Sequence, residues 1–207
     1  LIADIDYTRL QLPQEQRDRF RQNLLEQVRT VPGVTSAAAI DIVPLSGSGW
    51  NNNVVVNNKE NDANVNMDRV SSGYFETMKI PILAGRDFNS NDTAHSPKVA
   101  IVNQEFARKI FGSEDVIGRT FKIAVYKGDP QYEFQIVGIV KNTKYYDLRE
   151  DLDPLAYYPQ AQDDKPYPGT WIMVSSQLPL SSLIPSLQRA IGNVNQGVSV
   201  DFQTMDA

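Results

Sequence analysis

His95 is the single histidine of a 207-residue chain that contains no cysteine. Those two counts remove much of the catalytic repertoire before geometry is considered. Thiol nucleophiles, disulfides, Cys-ligated zinc and iron–sulfur clusters all need cysteine, and nitrogen-rich metal sites need more than one histidine. A Ser-His-Asp triad would have to use His95, in SNDTAHSPK, together with a serine on a nucleophile elbow. The glycine–serine run LSGSGW lacks both the G-x-S-x-G spacing and a following helical pattern. His95 therefore reads as a surface-loop residue.

Oxygen ligands are better represented. Asp87-x-Asn89-x-Asn91 begins like an EF-hand loop, but Asp92 stands where the turn glycine belongs and Lys98 where the bidentate glutamate belongs. A lysine at that place opposes a cation, so the run reads as an Asn/Asp-rich turn. Ser46-Gly47-Ser48-Gly49 is followed by Trp50, and no G-x-x-x-x-G-K-[ST] phosphate cradle occurs. Glu114 with Asp115 and Glu150 with Asp151 are only sequence neighbours, whereas catalytic carboxylate pairs are set by distance in space. No catalytic, cofactor-binding or metal-binding residue is assigned.

Two further stretches invite a recognition role. LDPLAYYPQAQDDKPYPGTW is rich in aromatic residues with polar tips, which suit an interaction surface, but a Pro-punctuated run is also how a strand edge and its connector look. Trp50, after a Ser/Gly turn, has the same two readings. VSSGYFETMKIPILAGRDF, residues 70–88, gathers Arg86, Asp87 and aromatics in one place. Its spacing predicts a helical turn capped by Ser71 or Ser72, with Tyr74, Phe75 and Met78 helping to pack the inserted strand-rich part of the chain and Ile80-Pro81 ending it. Gly85 supplies φ > 0 for a turn in which Asp87 accepts hydrogen bonds from the turn or from Arg86.

The elements that must position these residues follow from periodicity. LIADIDY alternates as a strand; Phe20, Leu24, Val28 and Val31 stripe one face of a helix that Pro13 opens and Pro32-Gly33 closes; VTSAAAIDIVPL is a second strand. The order returns at the far end: TWIMVSS, a helix with Leu180, Leu183, Ile184, Leu187, Ile191 and Val194 on one face, then VSVDFQT. Between them come VVV, VNMDRV, KVAIV, a short helix NQEFARKIF, RTFKIAVY, YEFQIVGIV and DPLAYYP, with SGSGWNNN and NNKENDAN read as turns. The expected fold is α+β: two βαβ units, residues 1–45 and 167–207, enclosing a strand-rich insertion over 46–166.

Composition limits the partners. With 41% hydrophobic residues the chain can bury a core, and Lys+Arg 20 against Asp+Glu 25 leaves a net charge of -5. No basic surplus is available for nucleic acid or an anionic membrane surface. No apolar run approaches the ~20 residues that span a bilayer, and no signal-peptide pattern opens the chain. Because it starts at Leu1 and stops just after a strand-like run, it reads as a piece of a longer protein.

Four ordered motifs, RTVPGVTSAAAIDIVPLSG, VSSGYFETMKIPILAGRDFNSND, KVAIVNQEFARKIFGSEDVIGRTFKI and FQIVGIVKNTKYYDLREDLDPLAYYPQAQ, together resemble the MacB-like periplasmic core domain of MacB/FtsX-type ABC transporter permeases. The flavour is that of the duplicated orphan permeases abundant in acidobacteria, which lack a fused ATPase. The resemblance implies a porter-like subdomain split by an inserted subdomain, in the periplasm of a bacterium whose inner membrane holds the rest of the permease. It implies no catalytic residue and no cofactor. Its implied partners are the membrane-embedded remainder and an ATPase subunit, with a periplasmic adaptor or a second permease copy as further candidates. Its implied function is mechanotransmission for export or release of a substrate. An extracytoplasmic ligand-binding or sensor domain, whose insertion frames a pocket, is the alternative; a hydrolase has no supporting motif.

Overall fold

The computed structural model describes residues 1–124 and 131–205. Val125 and Tyr126, the end of the strand expected over 119–126, lie outside them. The described residues form strands β1 (Ile2–Asp6), β2 (Val34–Ile40), β3 (Trp50–Val56), β4 (Lys59–Val70), β5 (Ile82–Gly85), β6 (Val99–Asn103), β7 (Thr120–Ile123), β8 (Glu133–Val140), β9 (Leu155–Pro159), β10 (Gly169–Ser176) and β11 (Ser199–Gln203), with helices α1 (Gln14–Arg29), α2 (Tyr74–Thr77), α3 (Gln104–Phe111) and α4 (Leu180–Val194).

The two expected strand–helix–strand units interleave. β10 pairs antiparallel with both β1 and β2, so β1 and β2 run parallel with a strand between them; β1 in turn separates β10 from β11. The order β11-β1-β10-β2 is thus a pair of split βαβ units sharing one sheet. α1 and α4 cover one face of it. Leu24, Val28, Leu183, Leu187 and Ile191 from the helices meet Ile5, Ala39 and Ile172 from the strands. Leu180 departs from the expected stripe and is 43% exposed, because the first turn of α4 begins where the chain has just left the end of β10.

The strand-rich middle closes on itself. β4-β3-β7-β8-β6-β9 is a continuous run of paired strands, and β9 pairs back onto β4 in parallel, Asn66↔Leu155 through Val70↔Pro159. Six strands therefore make a barrel, with β5 attached outside to β8. The Asn-rich stretches expected as turns are mostly strand. Residues 46–49 stay outside the strands as expected, and Asn57 and Asn58 turn with φ of 52° and 61°, the two positive values that a two-residue hairpin between right-twisted strands needs and that asparagine tolerates. β5 replaces the turn expected at LAGRDF: Gly85 (φ +77) faces Gly138 of β8, and a Cβ on Gly85 would sit 2.2 Å from the Val137 carbonyl oxygen.

Because a barrel wall has an inside and an outside, its strands serve two cores at once. Tyr158 joins Val54, Met67, Phe121 and Ile136 inside. Tyr157 joins Tyr74, Phe75 and Ile101 outside, where Ile2, Ile40 and Met173 from the far face of the four-stranded sheet complete the cluster. The Phe75 ring meets Tyr157 edge-on at 5.0 Å and lies 5.4 Å from Tyr74. α2 thus sits between barrel and sheet and packs both, rather than the strand-rich part alone. Phe75→Ala should cost about 3–5 kcal/mol, as loss of a fully buried aromatic does. Urea unfolding checks it, and the midpoint should fall for probes in sheet and barrel together.

Candidate functional site

Barrel and sheet meet directly through few main-chain pairs. β2 and β4 share the register pair Ile40↔Val70, continued by Asp41 N–H to Arg69 O (3.0 Å) and Ser71 N–H to Ala39 O (2.8 Å). Around this short seam the polar side chains collect. Arg21, buried on α1, donates to Asp18 Oδ1 and to the Gln160 carbonyl, each at 2.9 Å, and stands 3.6 Å from Asp41 Oδ1. Asp41 Oδ2 lies 3.8 Å from Arg69, and Arg69 reaches Asp163 at 3.5 Å. Gln160 adds a hydrogen bond to Asp41 at 2.6 Å. The chain of charges runs from α1 across β2 to β4 and the connector after β9. Burial pushes the Asp41 carboxyl up, against the opposing pull of Arg21 and Arg69.

Asp68 lies beneath the same seam. Its Oδ1 accepts the N–H groups of Ile42 (3.2 Å) and Arg69 (2.8 Å), while Oδ2 has no hydrogen-bond partner among the described residues. Burial, aided by the neighbouring charge of Asp41, pushes its carboxyl well above the usual range. Such a group opposes folding as pH rises past the ordinary carboxylate range, because the folded form holds its proton longer than the unfolded one.

Above the seam, α1 and the 88–95 loop face each other across a cavity of ≈ 420 Å³. α1 contributes Asp18, Arg21, Gln22, Glu26 and Arg29; the opposite wall carries Asn89, Ser90 and His95. Arg29 ties the helix down, donating to Ala37 O at 2.9 Å and Ser72 O at 2.7 Å. The loop is organised by a pairing that sequence reading missed. Arg86 grips Asp92 with two nitrogens, at 2.7 and 2.8 Å, instead of pairing with the carboxylate of adjacent Asp87. Asp92 also accepts Asn89 N–H at 2.9 Å. Although burial pushes the other way, these donors hold its carboxyl below the usual range. The only sequence signal was the acidic residue displacing an expected turn glycine.

The other residues considered from sequence fall into local roles. His95 is exposed on the cavity rim, and no hydrogen bond or ion pair to an acidic side chain is seen for it among the described residues. Asp87 spends its oxygens on Phe88 N–H (2.7 Å) and Gly73 N–H (3.2 Å), and Asn89 Oδ1 accepts Asn91 N–H (2.9 Å), so the calcium-like run binds its own backbone. Among the described residues no group of three or more His, Asp or Glu is placed to hold a metal ion. Glu150 accepts the N–H groups of Tyr145, Tyr146 and Asp147, a turn clasp with no part for Asp151. Glu114 and Asp115 are exposed. Ser71 does not cap α2; its hydroxyl accepts Ala39 N–H at 2.9 Å, and the N-cap residue is Gly73, in the left-handed region. In the aromatic-rich run, Leu155–Pro159 are buried barrel wall and Tyr167 is exposed.

The comparisons with known proteins agree with one another. The model of the MacB-like periplasmic core domain family matches residues 3–194. The macrolide export ATP-binding/permease protein MacB of Pasteurella multocida (strain Pm70) is 32% identical over 78 residues, 38% of this chain and 11% of that protein. The chain therefore spans only a small part of that relative. The periplasmic region of MacB from Actinobacillus actinomycetemcomitans has the same fold, with a TM-score of 0.60 at 15% identity over 97% of this chain and 87% of that one. The extracellular domain of the noncanonic ABC-type transporter YknZ from Gram-positive bacteria gives 0.58 at 15% identity over 98% and 100%.

Two substitutions test the geometry. Arg86→Ala should lower stability by about 1–3 kcal/mol, because it strands the buried Asp92 carboxylate while removing a half-exposed partner. The wild-type advantage should be present above about pH 4 and vanish on further acidification as Asp92 protonates. Asp68→Asn has the opposite sign. It should raise stability at pH 7 by about 1 kcal/mol or more and flatten the loss of stability between pH 4 and 7, read from urea midpoints across pH.

Proposed function

This chain belongs to the family of MacB-like periplasmic core domains, and from that premise we propose that it is the non-catalytic, extracytoplasmic part of an ABC-type permease, carrying conformational change from the membrane to the envelope side. The observation that carries the reading is the placement of the barrel at one end of the sheet. Ile2 of β1 and Gln203 of β11 are register partners at one end of the four-stranded sheet, and Leu1 bonds there to Val174. The chain leaves for the barrel after Ile40 and returns at Gly169, at the opposite end. A sheet entered at one end and loaded with a barrel at the other has the form of a lever.

In this reading residues 1–45 and 167–207 move as one body and 46–166 as the other. The charged seam and the ≈ 420 Å³ cavity lie where the two would shift against each other. The membrane-embedded remainder and an ATPase subunit supply the movement, in the bacterial inner membrane, with export or release of a substrate as its outcome. A periplasmic adaptor or a second permease copy would engage the barrel side.

The chain has no cysteine, so labels can be placed at will. A donor–acceptor pair on Gln22→Cys and Ser90→Cys, across the cavity, should report a change of distance when ATP is added to the complete permease with its ATPase. A distance that stays constant through turnover would overturn the mechanical role and leave family membership untouched.

A further inference from the structure

The barrel has two unlike ends. α3 follows directly from the end of β6 and closes one of them with Phe106, Ala107 and Ile110, which pack into the interior against Phe121 and Ile136. The other end holds a cavity of ≈ 300 Å³, at the lower bound of the size range typical of ligand pockets. Its lining follows from register: Trp50 opens β3, Arg69 ends β4, Phe134 opens β8 and Tyr158 ends β9, all at the same rim. Mouths of barrels are a recurrent place for small ligands.

The chemistry of the mouth is aromatic, with two of its three cations, Arg69 and Lys98, paired to acids and the third, Lys165, at the exposed rim. Tyr158 lies 5.8 Å from Trp50 and meets Phe134 edge-on at 4.7 Å. Arg69 stands over Trp50 at 4.5 Å and Lys98 over Tyr132 at 4.8 Å. Both cations already have anions: Arg69 has Asp163, and Lys98 donates to Asp164 at 2.9 Å and to the Gln162 carbonyl at 2.7 Å.

One group is left over. The Tyr158 hydroxyl is buried and has no hydrogen-bond partner among the described residues. Enclosing a hydroxyl without a partner costs about 1–3 kcal/mol. A purely structural wall would use phenylalanine, as the same interior does at positions 121 and 134.

We propose that the barrel mouth binds a small, neutral, planar aromatic molecule, its ring against Trp50 and its hydrogen-bonding substituent paired with the Tyr158 hydroxyl. This site is independent of the mechanical role, yet Arg69 belongs to both, since it spans the mouth and the charged seam. Occupancy would thus be felt where barrel and sheet join.

Benzamide is a suitable probe, having a ring and an amide that both donates and accepts. The chain has two tryptophans, so Trp171→Phe leaves Trp50 as the sole tryptophan, excited selectively at the red edge where tyrosine does not absorb. Benzamide should then change Trp50 emission saturably. Tyr158→Phe should weaken binding about tenfold, the equivalent of roughly 1.4 kcal/mol, and cyclohexanecarboxamide, with the same amide but no aromatic ring, should bind more weakly by a similar factor. The unfolding midpoint of Tyr158→Phe should be unchanged or higher, separating loss of the site from loss of the fold. A linear, non-saturating response, or equal affinity in Tyr158→Phe, would overturn the proposal. Neither result would alter the ATP-driven distance change across the other cavity.

Discussion

The parallel pairing of β4 with β9 is the constraint on which the remaining architecture depends. It closes the barrel, and the wall strands β4, β6, β8 and β9 then bury residues on both faces. It sets Tyr158 inward and Tyr157 outward, so that adjacent residues anchor the barrel interior and the layer shared with the sheet. It also brings Pro159 and the connector after it against Val70, which is where β2 arrives. Without that pairing, Arg69, Gln160 and Asp163 would have no common location, and neither the seam nor the mouth would exist.

The junction combines an apolar and a polar layer with different jobs. Tyr74, Phe75 and Tyr157 supply area, which is non-directional and tolerates small shifts. Arg21, Asp41, Arg69 and Asp163 supply direction, at distances of 3.5 to 3.8 Å that are looser than an ideal ion pair. The charged chain thus adds direction to a contact whose area is apolar. The orphaned Asp68 oxygen beneath it opposes stability, which is the pattern expected where a fold departs from its best packing at a place it uses.

How much of this was legible in the chain depends on the range of the interaction responsible. The stripes of Leu24 and Val28 and of Leu183, Leu187 and Ile191 are local, and they announced α1, α4 and the strands beside them. Barrel closure is not local, since a parallel partner far along the chain leaves no periodic trace, and the sequence of β9 suits a strand edge or a recognition surface. In the Asn-rich stretches asparagine favours turns when nothing else decides; here β3 and β4 pair with each other, and tertiary context outweighs that preference over most of their length. Arg21 was hidden for a similar reason. In QEQRDRFRQN it is one more charged helix residue, and only the fold turns it inward. Family resemblance bridged the gap by matching order along the chain, where spacing alone could not.

The shortness of the seam decides what holds the molecule together. The strands of the sheet run between the end where Ile2 meets Gln203 and the end where the barrel joins. Within the sheet neighbouring strands share full ladders, whereas β2 and β4 share the single register pair Ile40↔Val70. Sheet and barrel are therefore joined less by main-chain pairing than by side chains, the layer around Phe75 and Tyr157 and the Arg21–Asp41–Arg69–Asp163 chain.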